Sequence, residues 1–152
     1  MKPVPSYDGM DEISRGFAEA LFTAFPDREP LARPAMDNKT GAHFMEVDVP
    51  QSGTNRFLHL GTADNEITIA FDHWHTHVGP FLGSSVVESI GLAVSMIKAF
   101  IAEQTVVKVT RKNGSWIQSI LEYVAAPSEL KSGTTTRVFS WNRTYDRTIE
   151  TP

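Results

Sequence analysis

A chain of 152 residues, 41% hydrophobic and 21% charged, has the mixture of a globular protein and not of a disordered or fibrous one. Its formal charge of −4 argues against a nucleic-acid partner, since phosphate-binding domains carry a basic excess, and favours a basic partner instead. The lack of cysteine excludes disulfides, thiolate nucleophiles and cysteine-held zinc or iron–sulfur centres.

One domain is the expectation at this length, enough to bury roughly two thirds of the unfolded surface. Residues 1–8 read as a loose leader without the apolar core of a signal peptide. The longest apolar run, 86–101, is broken by Glu88, Ser89, Ser95 and Lys98 and is too short to span a bilayer. The expected location is therefore the cytoplasm, with no membrane partner.

Asp8 is the expected N-cap of a first helix over 11–25, where Ile13, Phe17, Ala20, Leu21 and Ala24 recur at helical spacing and Pro26 stops the run. Residues 26–41, with prolines at 26, 30 and 34, read as a long surface loop. Three strands follow. The first, 42–49, alternates His43, Met45, Val47 and Val49 against Phe44, Glu46 and Asp48. The second covers 56–61, and a turn holding Asp64 and Asn65 leads to the third, 67–77. Along it Ile67, Ile69 and Phe71 point one way. Unbroken alternation carries His73, His75 and His77 onto that same face, with Trp74 and Thr76 opposite.

Ser85 and Glu88 form a capping-box pattern ahead of a second helix over 85–103. Val86, Ile90, Ala93, Val94, Ile97 and Ile101 make its stripe, and Val87, Leu92, Met96 and Phe100 widen it. A helix this apolar is expected to lie mostly buried across a sheet face. Asn113-Gly114 then joins strands 105–111 and 115–124 as a hairpin, because both turn residues tolerate positive φ. Residues 125–133 read as a loop holding Pro127 and Gly133, 134–143 as a last strand and 144–152 as a tail. The order α-βββ-α-βββ predicts an α+β fold with one mainly antiparallel sheet of about six strands and the long helix on one face.

The histidine row is the chief candidate for chemistry. Neutral imidazole suits a divalent transition metal such as Zn, and neighbouring pairs among His73, His75 and His77 reach one ion from the same strand face. A straight strand separates His73 from His77 by about 13 Å, so all three reach one ion only with a bulge. Two of them with His43, His59 or Asp72 make the more usable set. The alternative is that the imidazoles only cap the end of the sheet. Metal-dependent amidohydrolases also open on His-x-His, but they need a barrel of about 250 residues, which this chain lacks. No Gly-x-Ser-x-Gly elbow and no phosphate-binding glycine loop occurs. Glu46 and Asp48 share a strand face and read as surface acids. No catalytic residue and no cofactor is assigned.

A contact surface is the other reading. Arg137, Phe139, Trp141 and Arg143 alternate onto one face of the last strand, with Tyr145, Asp146 and Arg147 beyond, and Trp, Tyr and Arg are enriched at binding hot spots. Asp72, His73, Trp74, His75, His77, Trp141 and Tyr145 form the expected partner-binding set.

Two phrases, 71–77 (FDHWHTH) and 140–147 (SWNRTYDR), together with the helix–meander–helix–hairpin layout, resemble immunity-type proteins of bacterial polymorphic or contact-dependent toxin systems. The resemblance spans about 67–149. It implies a cytoplasmic binding protein that neutralises a cognate protein toxin by occlusion, without chemistry of its own; a homodimer is compatible with it. Two other functions stay open: a metal-binding protein or metal-dependent enzyme using His73, His75 and His77, and a homo-oligomeric domain holding a small ligand in the helix–sheet gap.

Overall fold

The computed structural model describes residues 7–126 and 130–152; the leader residues 1–6 and residues 127–129 of the expected 125–133 loop lie outside them. Helix α1 (Glu12–Ala24) starts at Asp11, not Asp8: the Asp11 carboxylate accepts the Ser14 amide at 2.8 Å. Its stripe buries Ile13, Phe17, Leu21 and Phe22.

Residues 26–41 are more ordered than their prolines suggest. A 3-10 stretch (Pro26–Leu31) leads into strand β1 (Ala32–Met36). Pro34 sits in that strand because β1 is at the sheet edge, where one side of the backbone needs no hydrogen-bond donor. Strands β2 (His43–Pro50), β3 (Phe57–Gly61), β4 (Ile67–Phe71) and β5 (Trp74–Val78) complete an antiparallel sheet in the order β1-β2-β3-β4-β5.

The expected single strand over 67–77 is thus corrected to a hairpin. Asp72 and His73 form its two-residue turn, with Asp72 at φ 54°, and Phe71 is the direct partner of Trp74. Partners across an antiparallel pair share a sheet face. The turn therefore shifts the alternation by one: Trp74 and Val78 join Ile67, Ile69 and Phe71 inside, and His75 and His77 go outside.

Helix α2 (Val86–Ile101) carries the expected capping box at Ser85 and Glu88. It buries Ser89, Ala93, Val94, Ile97 and Phe100, yet Val87 is 78% and Leu92 57% exposed. The expected mostly buried helix is in fact one-sided.

Strands β6 (Thr105–Lys112), β7 (Ser115–Tyr123), β8 (Thr134–Phe139) and β9 (Arg147–Thr151) form a second antiparallel sheet, ordered β7-β6-β8-β9. Asn113 (φ 50°) and Gly114 (φ 78°) make the expected hairpin turn. Strand β8 stops at Phe139 instead of running to Arg143, and the expected tail holds β9, paired to β8 from Thr134↔Thr151 to Val138↔Arg147. The fold is α+β with antiparallel pairing, as expected, but among the described residues nine strands in two sheets replace one sheet of six.

One apolar cluster joins the parts. It includes Phe17 and Leu21 of α1, Met45, Leu60 and Ile69 of the first sheet, Ile97 of α2, and Val107, Val109 and Phe139 of the second sheet. Helix α1 packs on β2 and β4, and α2 on β4, β5 and β6. No helix among the described residues is long and apolar enough to cross a membrane.

Candidate functional site

On the inner face of the first sheet Met45, Val47, Leu58, Leu60, Ile69 and Trp74 are buried, whereas Arg33, Glu46, Asp48, His59, Thr68, His75 and His77 on the opposite face are half-buried or exposed. Register sets two rows across this outer face. One runs Asp48–His59–Ala70–His75, and the other Arg33–Glu46–Gly61–Thr68–His77.

The carboxylates orient the imidazoles. His59 Nδ1 lies 2.7 Å from Asp48 Oδ1, and His77 Nδ1 lies 2.7 Å from Glu66 Oε1 and 3.1 Å from Thr68 Oγ1. A nitrogen facing a carboxylate carries the proton, so in both neutral rings Nε2 keeps the lone pair. Arg33 pairs with Asp48 and reaches Glu46 at 3.8 Å. A Cβ at Gly61 would stand 3.3 Å from His59 Nε2, so glycine leaves the ring room to lie along the strand.

Beside His59 is a depression of about 230 Å³, floored by Ala70 and walled by Asn55, Arg56, Phe57 and Asp72. Arg56 Nε pairs with Asp72 Oδ1 at 3.3 Å, and its guanidinium lies 4.5 Å from the Phe139 ring centre. That volume is below the usual range for sites enclosing drug-sized ligands, roughly 300–1,000 Å³. The gap between helix and sheet, the expected pocket, is a groove of about 240 Å³ along Leu92, Met96, Ala99, Leu121 and Tyr123.

No protein family, curated protein or solved structure matches this chain. The chemistry of the face therefore rests on its own geometry.

The expected partner-binding residues do not form one surface. Asp72, His73, His75 and His77 are on the surface: His73 is in the turn, 3.9 Å from Asp72 Oδ2, and the His75 and His77 ring centres are 5.3 Å apart. Trp74 and Trp141 are only 6% and 7% exposed and belong to the core. The Trp141 ring packs edge-on against Phe71 at 6.1 Å and Phe100 at 5.9 Å. Tyr145 is partly exposed in the segment between β8 and β9, where its amide donates to Ser140 Oγ at 2.9 Å. Arg137 stacks on buried Phe139, with its guanidinium 5.0 Å from the ring centre. The expected single face of Arg137, Phe139, Trp141 and Arg143 does not form.

The 140–147 phrase has a structural task. Glu103 Oε1 accepts the amides of Asn142 (2.8 Å) and Thr144 (3.3 Å), and Asp146 Oδ1 accepts the Ser140 amide at 2.8 Å. Buried Gln51 donates from Nε2 to the Ser140 and Trp141 carbonyls at 3.0 and 2.8 Å. Partial burial pushes the Glu103 carboxyl up, but hydrogen bonds from Thr144, Ser140 and Asn142 outweigh it and hold the group below the usual carboxylate range.

Sequence reasoning named His59, Glu46 and Asp48 without joining them, and it passed over Arg33, Arg56, Glu66 and Thr68. Asp48 and His59 meet only because the β2–β3 register makes them direct partners. Among the described residues no hydroxyl bonds to His59 Nε2, and no group of three or more His, Asp or Glu is placed to hold a metal ion. The face carries oriented imidazoles and carboxylates without an assembled nucleophile. On it Glu46, Asp48, Glu66 and Asp72 oppose Arg33 and Arg56, so four carboxylates against two guanidinium groups leave −2 with the imidazoles neutral.

Proposed function

We propose that this chain is a non-catalytic, immunity-like binding protein that neutralises a cognate basic protein toxin in the cytoplasm by occluding it, with the outer face of the first sheet as its contact surface. The observation that carries the reading is the pairing on that face. Arg33–Asp48–His59, Glu66–His77 and Arg56–Asp72 hold ionisable groups in set positions on a sheet face where, among the described residues, the side chains are half-buried or exposed. Groups fixed before contact lose little entropy on binding, and a face of net −2 attracts a basic partner and raises its association rate. A broad, shallow surface suits another protein better than a small molecule.

The test is co-purification and calorimetry with the product of the adjacent reading frame. A one-to-one complex that blocks the toxin's activity, and is weakened at least tenfold by Asp48→Asn with Glu66→Gln, supports the reading. No complex, or a complex indifferent to these substitutions, overturns it.

A further inference from the structure

We infer that His75 and His77 form a two-imidazole site for a divalent transition cation, with Glu66 as the group that orients His77. The two residues are i and i+2 on strand β5, so both rings rise from the same face. Both are exposed, and β5 is an edge strand of its sheet.

The ring centres stand 5.3 Å apart with planes at 76°. An ion held tetrahedrally by two imidazole nitrogens at about 2.0–2.1 Å sets the ring centres roughly 5 Å apart, close to the spacing already present. Chelation then needs ring rotation, not movement of the strand.

The protonation state is also prepared. Glu66 at 2.7 Å takes the Nδ1–H of His77, which leaves the Nε2 lone pair free to bind an ion. Carboxylate, histidine and metal stand in that order in many metal sites, with the carboxylate outside the coordination sphere. Thr68 Oγ1, 3.1 Å from the same nitrogen, keeps the ring from turning over.

The other histidines do not join. His73 belongs to the Asp72 turn, and His59, two strands away, is tied to Asp48. Water completes the coordination shell. Imidazole nitrogen selects copper(II), nickel(II) and zinc over magnesium and calcium, and copper(II) binds tightest in that series. A bound dication would cancel the −2 of the face, so metal loading changes which partner charge the face accepts. The site itself requires no partner and stands or falls independently of the toxin-binding proposal.

The experiment is calorimetric titration of copper(II) chloride, and separately zinc chloride, into the untagged full chain at neutral pH with excess magnesium. One saturable ion per chain is expected. His75→Ala and His77→Ala should each abolish it, His73→Ala and His59→Ala should leave it unchanged, and Glu66→Gln should weaken it about 10–100-fold. Circular dichroism confirms that each variant folds. Nitrogen-15 spectra of the metal-free protein give a second readout, with His77 protonated at Nδ1. No uptake, or equal losses from His73→Ala and His75→Ala, overturns the site and leaves only scattered binding to surface histidines.

Discussion

Phe71 and Trp74 are direct cross-strand partners over the Asp72-His73 turn, and both are buried, at 1% and 6% exposure. That single pairing turns His75 and His77 outward. It depends on a non-glycine residue held at positive φ, Asp72 at 54°. Asp and Asn tolerate this region, whereas a β-branched side chain does not. Asp72→Val should therefore cost roughly 1–2 kcal/mol through the backbone alone. Asp72→Asn keeps the backbone and loses the carboxylate's charge against Arg56 and His73, worth about 0–1 kcal/mol. Urea midpoints of the two variants check the order; equal losses would refute the turn argument.

Trp141 closes an aromatic trio, since Phe71 and Phe100 also touch each other at 5.0 Å between ring centres. Truncating it removes a large buried ring between the β4–β5 hairpin, α2 and the β8–β9 connection. Trp141→Ala should lower stability by about 3–5 kcal/mol, and Trp141→Phe by clearly less. A loss below 1 kcal/mol in chemical denaturation would show the ring to be peripheral.

Two helical glycines should respond in opposite directions. A Cβ at Gly16 would meet Cδ1 at the end of the Ile90 side chain at 2.7 Å, so Ile90 of α2 must shift to admit it. Gly16→Val should cost roughly 1–3 kcal/mol by overpacking. At Gly91 of α2 nothing lies within 4 Å of the added Cβ. Gly91→Ala should stabilise by roughly 0.5–1 kcal/mol through helix propensity. Thermal melts of the pair give the comparison, and two shifts of the same sign would contradict this packing.

Glu103 predicts an acid-sensitive connection between β8 and β9. Its folded pKa is held down by the Thr144, Ser140 and Asn142 hydrogen bonds against the opposing effect of burial. A depressed carboxylate contributes stability that is fully present above the unfolded value, about 4.3, and is lost as pH falls through the lower folded value. Glu103→Gln should therefore destabilise the protein near neutrality and flatten the acid limb of its stability curve. Denaturation from neutral pH to pH 3 checks this; parallel curves for the two proteins would remove the role.

Much of the local structure was legible in the sequence. Ser85 and Glu88 mark the start of α2, and Asn113-Gly114 marks the second-sheet hairpin, because caps and tight turns are specified by residues within three or four positions of one another. The edge strands were not. Only Ala32 of β1 is buried, with Pro34 among its neighbours, and β9 has no fully buried residue, so neither shows the apolar alternation that marks a strand.

The candidate site was legible as a set of residue types and not as an arrangement. Composition and order alone place the imidazoles among His43, His59 and the 73–77 run and determine the Ser85–Glu88 cap of α2, since both follow from neighbours in the chain, while the α1 cap lay at Asp11 and not at the expected Asp8. Which face His75 and His77 occupy was decided by the two-residue turn before them, because side chains alternate with period two and one shift moves the whole set across the sheet. Tertiary structure alone brought Asp48 to His59, Glu66 to His77 and Glu103 to the 140–146 turn. Those contacts depend on strand register and on how the sheets pack, which buried apolar area selects and no short stretch of chain encodes.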